Sequence, residues 1–490
     1  MNNIKNQYID LPITHPYKTI LICIISTLIL AIGILYVKID DDFVKMFPDD
    51  IPSKALWDDI QEEFGSTEHL VIAFGNRNSS ILDDENVYSK LVDVVQRYEQ
   101  LNLVDKVISI NNNFSGKENK TLVSNYSKNQ INYFANQTQD YICLYVVPKV
   151  GVSNAELVSS VKKIAENQLR GYDVHFAGQP YLTGEIPNLI SKDVRILMLV
   201  GIIVMVILLG LNLKSFYSVF TVFITSILSL VGMVGFMGWL YFITGYDIYN
   251  FTILSTSMPI ILLTIANSDG VHITARFRKE VRKLKDVNKA VSTTLTTLRK
   301  PIFLTSLTTA IAFISMTVSP IPHMVGYGIV IAFGVLWAWI LSTTLLPSLI
   351  IIRKWNLNSS KFDKDSLIEK IVKKLSEKVI QNPKKVLISS LLIVLVSFSG
   401  LWLVKVEVNV IKFFKKDSSI RQSTDFVDKE LSGSMSFTIQ CEGDFKKIDN
   451  IILLDSLQKK LERKDSISEI KKSFSYANVI KELYKNFNIY

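Results

Sequence analysis

The sequence has 490 residues, of which 48% are hydrophobic, and it carries a net charge of +9. This apolar fraction, together with several apolar runs of about 20 residues, excludes an ordinary soluble protein and predicts a helical membrane protein. The basic residues gather in loops beside the apolar runs, so we attribute them to membrane topology and expect no nucleic-acid partner.

Seven apolar runs are predicted to cross the membrane. A cleaved signal peptide is the alternative for the first run. Its apolar stretch is longer than in a signal peptide and no small-residue cleavage site follows, so an uncleaved anchor is favoured. The runs leave residues 1–18, 38–193, 353–385 and 405–490 as polar segments, and residues 194–352 as a block of five spans. The predicted spans are residues 19–37, 194–213, 216–240, 251–273, 301–318, 324–352 and 386–404.

The placement of charge predicts the orientation of the chain. Nine Lys and Arg residues lie between Arg276 and Lys300, and a second basic cluster lies in 353–385, whereas the connections 241–250 and 319–323 contain neither. By the positive-inside rule, residues 1–18 and both basic loops are cytosolic, and the segments 38–193 and 405–490 are external. We therefore expect a multi-pass protein of the plasma (inner) membrane. The basic stretch 276–300 is predicted to form one amphipathic helix on the inner leaflet.

The first external segment, residues 38–193, is predicted to be an α/β domain. Its patterns alternate as two strand–helix–strand units, which favours a small sheet with helices on one face. The Asn- and Ser-rich residues 111–139 are predicted to be a loop. Helical periodicity covers residues 53–65, 85–101 and 154–169, and strand patterns cover 69–74, 106–110, 141–148 and 173–180.

Motifs for catalysis, cofactors or metals are not found in the sequence. It contains no nucleotide-binding loop, zincin motif or nucleophile elbow, so we expect no enzyme activity and no cofactor. Cys23, Cys143 and Cys441 lie in three separate segments, which indicates neither a disulfide framework nor a metal site. The run Asp40–Asp42 is interpreted as a solvated stretch rather than a metal site.

An internal repeat with an offset of 367 residues links the two ends of the chain. Residues 15–18 match 382–385, and 37–50 match 404–417, with Asp58 aligned to Asp425 and Glu63 to Glu430. One unit comprises a span, an external domain and five further spans. The second unit begins near residue 380, so we expect that spans eight to twelve lie outside this sequence. A truncated gene or partial chain fits this better than a natural split, which should fall before the seventh span.

Four stretches carry a resemblance to a known family. They resemble transporters of the resistance–nodulation–division (RND) superfamily, and most closely the MMPL-type exporters, whose five-span block is related to the sterol-sensing domain. The resemblance implies proton-driven export of hydrophobic or amphiphilic molecules, including lipids, and the lipid bilayer as a partner. The stretches are VHFAGQPYLTGEIPNLISKDVRILM (174–198), PIILLTIANSDGVHITARFRKE (259–280), KPIFLTSLTTAIAFISM (300–316) and IPHMVGYGIVIAFGVLWAWILSTTLLPSLI (321–350).

The candidate site lies on the fourth span. The family motif is Gly-x-Asp-Tyr-Gly-x-His, and here Ser268 stands at its aspartate position and Asp269 at its tyrosine position. One residue is about 100° of helix rotation, so the family's relay cannot be transferred directly. The resemblance also implies that the acid pairs with the tenth span, so a second half or an oligomeric partner is needed. The proton-coupling candidates are Asp269, His272, Ser268, Thr305 and Thr309.

Each candidate also has a simpler interpretation. Asp269, His272 and Arg276 are spaced to share a helix face, yet Asp269 can equally be a helix-end residue that pairs with Arg276. His272 can be an interfacial residue. The hydroxyls of Thr305, Ser306, Thr308 and Thr309, and the glycines Gly326, Gly328 and Gly334, can serve helix packing alone.

Two other functions remain open at this point. The first is a sterol-sensing-type membrane sensor or scaffold, whose five-span block binds lipid without pumping. The second is an accessory subunit of protein translocation, similar to the split members of the superfamily.

Overall fold

The computed structural model separates into two compact units. The helical unit comprises Met1–Pro48 and Pro187–Val406, and the sheet unit comprises Asp49–Ile186 and Glu407–Tyr490. Most of the predicted loop 111–139 lies outside the described residues. The structure describes residues 11–40, 47–48, 50–77, 79–81, 84–110, 134–213, 215–355, 367–404, 409–431, 433–462, 470 and 473–487.

The described secondary structure is mostly helical. Short 3₁₀ segments continue several helices, for example Gly33–Tyr36 and Ser315–Val318. The helices are α1 Pro16–Ile32, α2 Pro52–Phe64, α3 Glu85–Glu99, α4 Asn154–Gln168, α5 Gln179–Leu213, α6 Phe216–Thr244, α7 Met258–Leu284, α8 Val287–Ile314, α9 Pro322–Ile352, α10 Leu367–Gln381, α11 Pro383–Ser399, α12 Ser419–Glu430, α13 Ile448–Leu461 and α14 Tyr476–Phe487. The strands are β1 Leu70–Gly75, β2 Val104–Ile108, β3 Tyr141–Pro148 and β4 Asp173–Ala177.

Membrane-length helices dominate the helical unit. Within the described part of the chain, six helices are long and apolar enough to cross a membrane. Together with the small sheet, they confirm a polytopic helical membrane protein. These helices are Pro16–Tyr36, Val194–Leu213, Phe216–Thr244, Val287–Val318, Pro322–Ile352 and Pro383–Leu403.

The fourth predicted span lies in α7, which is not among these six. Asn267, Asp269 and His272 interrupt its apolar run and lower its average hydropathy. However, α7 packs among the other membrane helices: its Leu262 shares a buried cluster with Met233 of α6 and Val335 of α9. We therefore treat α7 as a membrane helix of the bundle, with Asp269 buried inside it.

The basic stretch between α7 and α8 does not form the single amphipathic helix predicted from sequence. Lys285 adopts a left-handed conformation (φ 51°) and ends α7. The side chain of Asp286 then accepts a hydrogen bond from the backbone N–H of Lys289 at 3.0 Å and so caps α8. The predicted helix is therefore wrong: its two halves are the ends of two packed helices.

Glycines bring the helices of this unit into close contact. A Cβ added at Gly238 of α6 would lie 1.8 Å from the carbonyl oxygen of Gly33, and one at Gly235 would lie 2.0 Å from that of Leu30. The α1–α6 contact is thus backbone against backbone, as small residues allow in membranes. Gly326 approaches the backbone in the same way, as expected for a packing role, with its added Cβ 1.9 Å from the oxygen of Ile248.

The sheet unit contains a four-stranded antiparallel sheet with the order β2-β3-β1-β4. Leu70 of β1 pairs with Val146 of β3, and Val71 pairs with Ala177 of β4. With α3 after β1 and α4 after β3, this is a βαββαβ arrangement that places both helices on one face. The two helices contact each other, for example where the Tyr98 hydroxyl donates to the carbonyl oxygen of Val161 at 3.3 Å.

The other face of the sheet is covered by α12. Val427 of this helix packs with Val71, Ala73 and Cys143 in one buried cluster. The sequence predicted helices on one face only, because the covering helix follows the sheet by some 240 residues and no local pattern indicates it. Among the described cysteines, Cys23, Cys143 and Cys441 are all free thiols.

Candidate functional site

The apolar stripe of α7 places Asp269 in the bundle interior. Leu262, Ala266, Asp269, Ile273 and Phe277 recur at intervals of three or four residues, and all are buried. Helix periodicity therefore puts them on one face. An aspartate in this stripe faces neighbouring helices rather than lipid.

The neighbours of Asp269 leave its carboxyl without a cation. Its side chain is 6% exposed. The hydroxyl of Ser306 on α8 donates to Oδ2 of Asp269 over 3.5 Å. Arg276, the partner considered from the sequence, instead forms an ion pair with Glu280 (Nη2–Oε1, 3.0 Å). Among the residues that the structure describes, no Lys, Arg or His forms an ion pair with Asp269.

The other sequence candidates do not gather around Asp269. Ser268 and His272 are exposed on α7, whereas Asp269 is buried. Thr305 is exposed and its hydroxyl donates to Ile302 O at 2.8 Å, and the half-buried Thr309 donates to Thr305 O at 2.8 Å. Of the hydroxyl cluster on α8, Ser306 is the member that reaches the carboxyl. The roles of the remaining candidates stay predictions.

An exposed polar strip runs along α7 beside the buried site. Thr264, Ser268 and His272 are spaced by four residues and all are exposed. Thr305 and Thr308 are likewise exposed on α8. Polar side chains within membrane helices usually face a bundle interior or a water-filled cavity, since exposure to lipid is costly.

The sequence did not single out two buried hydroxyls of this region, those of Ser218 on α6 and Thr274 on α7. A Cβ at Gly270 would lie 2.7 Å from Cγ1 of Val222, so these two residues are opposite each other in the α6–α7 pair. The helices α6 and α7 run antiparallel, since Val222 lies opposite Gly270 and Met233 packs with Leu262. Ser218 and Thr274 therefore come level one turn further toward Leu284. Both are buried, and neither hydroxyl oxygen has a hydrogen-bond partner.

Buried charges lie one further turn along α7. Arg278 is 8% and Glu280 6% exposed. Arg278 follows Gly270 and Thr274 at intervals of four residues, so it belongs to the same side of the helix. The spacing of Thr274 and Arg278 was a readable signal in the sequence for buried polar residues along this side of α7.

At the other end of the helical unit, Asp40 connects the residues that follow α1 to the residues that precede α7. Its side chain accepts a hydrogen bond from Nδ2 of Asn250 at 3.2 Å, and the N–H of Phe251 donates to Lys38 O at 2.7 Å. Asp40 is 8% exposed, so its interpretation as part of a solvated stretch is wrong. It anchors the residues after α1 to the connection before α7. Within the described ranges, no group of three or more His, Cys, Asp or Glu residues could hold a metal ion.

Taken together, the helical bundle, its interior carboxyl and the βαββαβ sheet define a multi-pass membrane protein with a large polar domain. The family model described as "MMPL family" matches residues 45–386. The chain therefore belongs to the MMPL family, a branch of the RND superfamily of membrane transporters.

One curated relative extends this comparison. It is "Putative membrane protein MJ1562" of Methanocaldococcus jannaschii, which is 22% identical over 360 residues, covering 69% of this chain and 91% of that protein. Since 69% of this chain accounts for nearly all of the relative, the relative is shorter than this chain. It has no room for two units of the 367-residue repeat.

Proposed function

We propose that the protein is a proton-driven exporter of hydrophobic or amphiphilic molecules, with its N-terminus and basic loops in the cytosol of a cell with a plasma (inner) membrane. The observation that carries this proposal is the carboxyl of Asp269. It is buried in a membrane bundle and has no ion pair there among the described residues. An ionisable residue in such a place marks a proton or ion pathway by default.

The buried polar line along α7 supports a cytosolic proton route. Ser306 contacts the carboxyl of Asp269, and the unpaired hydroxyls of Ser218 and Thr274 lie one turn closer to the basic end of the helix. Arg278 and Glu280 follow at that end. A proton leaving Asp269 would pass these hydroxyls, directly or through water, before it reaches the cytosol.

The exposed polar strip supports a need for a second helical bundle. Thr264, Ser268 and His272 would otherwise face lipid. In the proposed assembly a second bundle covers this strip and moves against the first around the site. The one-unit length of the archaeal relative is consistent with assembly from single units, so two copies of a chain can supply both bundles.

The proposal is tested in proteoliposomes with a fluorescent phospholipid analogue as the transported probe. A pH gradient imposed across the vesicles should drive translocation of the probe, and a protonophore should abolish it. We expect flux only when a second bundle is present, either as a second copy or as an added second repeat.

Two outcomes would contradict this proposal. Flux that persists unchanged after the gradient is collapsed would exclude proton coupling. Saturable binding of the lipid analogue without any flux under all conditions would support the sensor function instead.

A further inference from the structure

The end of α9 carries an arginine with two aromatic neighbours. Arg353 directly follows Ile352, the last residue of α9. The central carbon of its guanidinium lies 4.3 Å from the ring centre of Tyr217 on α6 and 4.6 Å from that of Trp355. The two rings are nearly perpendicular, at 89°. They therefore form a corner that covers two sides of the guanidinium, in contacts that favour a cation.

Both rings are held in place by neighbouring helices. The last carbonyl groups of a helix have no partner within that helix. At the end of α9, the Tyr217 hydroxyl donates to the carbonyl oxygen of Leu349 at 2.5 Å, and the Trp355 indole N–H donates to that of Ile350 at 2.8 Å. Trp355 also packs against Phe277 of α7, with ring centroids 5.3 Å apart. The aromatic corner is therefore fixed by contacts with three helices.

The charge of Arg353 is not compensated inside the protein. Among the residues that the structure describes, no Asp or Glu forms an ion pair with it, and its Nη1 atom is buried without a hydrogen-bond partner. The side chain is half-buried and the next residue, Lys354, is exposed, so a ligand that approaches from outside meets two positive charges. A partly buried cation without a partner is costly, and this arrangement therefore indicates an anionic ligand.

The surroundings of Arg353 identify this anion as a phosphate group of the membrane. The planar guanidinium presents its N–H donors in a fork that matches two oxygens of a phosphate. Phe216, the first residue of α6, is 88% exposed, as expected for a side chain that faces lipid. Tyr and Trp residues of membrane proteins gather at the depth of the lipid headgroups. Tyr217 and Trp355 therefore place the guanidinium at the depth of the lipid phosphates.

We propose that Arg353 and Lys354 bind the phosphate group of a membrane lipid in the corner formed by Tyr217 and Trp355. The guanidinium donates hydrogen bonds to two phosphate oxygens, and the Lys354 ammonium adds electrostatic attraction. A phosphate monoester, as in phosphatidic acid, carries more negative charge than the diester of a zwitterionic lipid and is therefore preferred. This site is independent of proton coupling at Asp269.

Lipid titrations of the full purified chain, followed by native mass spectrometry, test this site. The lipids are phosphatidic acid, phosphatidylcholine and diacylglycerol with identical acyl chains, so that only the headgroup differs. We expect the wild type to bind phosphatidic acid more tightly than the other two lipids. Arg353→Gln should weaken this binding about tenfold, since it removes charge-assisted hydrogen bonds. Arg353→Lys should weaken it less, because an ammonium keeps the charge but not the fork.

The matched control is Lys289→Gln on α8. The side chain of Lys289 is 74% exposed, and its ammonium already lies 3.8 Å from a carboxylate oxygen of Asp286. This variant should leave the affinity for phosphatidic acid unchanged. Thermal unfolding of each purified variant shows whether it is folded. If Arg353→Gln does not fold, Lys354→Gln replaces it, and this variant should weaken the binding several-fold.

Three results would overturn the proposal. The first is no loss of phosphatidic acid binding in the folded variants of Arg353 and Lys354, or the same loss in Lys289→Gln, which would indicate attraction by general surface charge. The second is equal binding of all three lipids, which would indicate contacts with acyl chains alone. The third is complete displacement of phosphatidic acid by millimolar inorganic phosphate, which would show that the site binds free phosphate rather than a lipid.

Discussion

The glycine contact between α1 and α6 allows a quantitative prediction for Gly238→Ala. The added Cβ would lie 1.8 Å from the Gly33 oxygen, about 1.6 Å short of the 3.4 Å at which ordinary contact begins. The obstacle is backbone, so the helices themselves must separate. Overpacking of this kind costs about 3 kcal/mol. The better helix propensity of Ala offsets about 1 kcal/mol. We expect a net loss of about 2 kcal/mol in the free energy of unfolding.

The matched control is Gly210→Ala on α5, where a Cβ meets nothing within 4 Å. Both variants are unfolded reversibly by titration with a denaturing detergent in mixed micelles. Gly210→Ala should be as stable as the wild type or slightly more stable. If both variants unfold at the same point, the α1–α6 backbone contact does not contribute to stability and our account of this bundle is wrong.

Three further predictions concern other contacts. Thr274→Val should slow proton uptake in the reconstituted transporter several-fold. The control is Thr294→Val, which should not slow uptake, because the buried Thr294 hydroxyl already donates to its own helix at 2.7 Å. Equal rates in the two variants would exclude the route along α7. The Tyr172 hydroxyl donates to Asp84 at 2.6 Å and lowers the pKa of that carboxyl below its ordinary 3.8. This hydrogen bond therefore stabilises the fold above pH 3.8, and the stabilisation is lost as the pH falls through the lower pKa of the folded state. Tyr172→Phe should therefore weaken hydrogen-exchange protection of α3 at neutral pH, by up to about 1 kcal/mol, and the difference should vanish in acid. Asp286→Ala removes the cap of α8. The hydrogen-exchange protection free energy of the first turn of α8 should fall by about 1 kcal/mol, and the rest of the helix serves as the internal control.

Local patterns made most of the helical fold predictable. Spans such as 194–213 and 324–352 are long apolar runs, and their helices were found where hydropathy placed them. The βαββαβ strands were equally readable because strand and helix periods alternate. The fourth span, 251–273, was also predicted as an apolar run, although the polar residues of α7 lower its hydropathy.

Features that depend on tertiary contacts were not predictable. Nothing in the composition of 276–300 shows that Lys285 adopts a left-handed conformation and that two helices meet there. Asp40 looked solvated because its partner, Asn250, lies some 200 residues away. The placement of α12 on the first sheet follows from the repeat only once a structure shows which helix occupies that sheet.

The candidate site was predictable as a residue but not as an arrangement. The resemblance of the fourth span to the family pointed to Asp269, and the side of α8 that bears Ser306 became clear only from the packing of the two helices. His272 and Arg276 were expected to share its face by spacing. In the folded helix, His272 is exposed, and Arg276 pairs with Glu280 rather than with Asp269.

The central claim is that Asp269 binds and releases a proton during transport. Its most direct test compares Asp269→Asn and Asp269→Glu in the reconstituted transporter, with a pH-sensitive dye in the vesicle lumen. Asn keeps the shape and hydrogen bonding but cannot ionise, so proton movement and probe flux should both vanish while expression and folding are retained. Glu should keep partial activity. An Asp269→Asn variant that moves protons and probe at the wild-type rate across a pH series would contradict the claim.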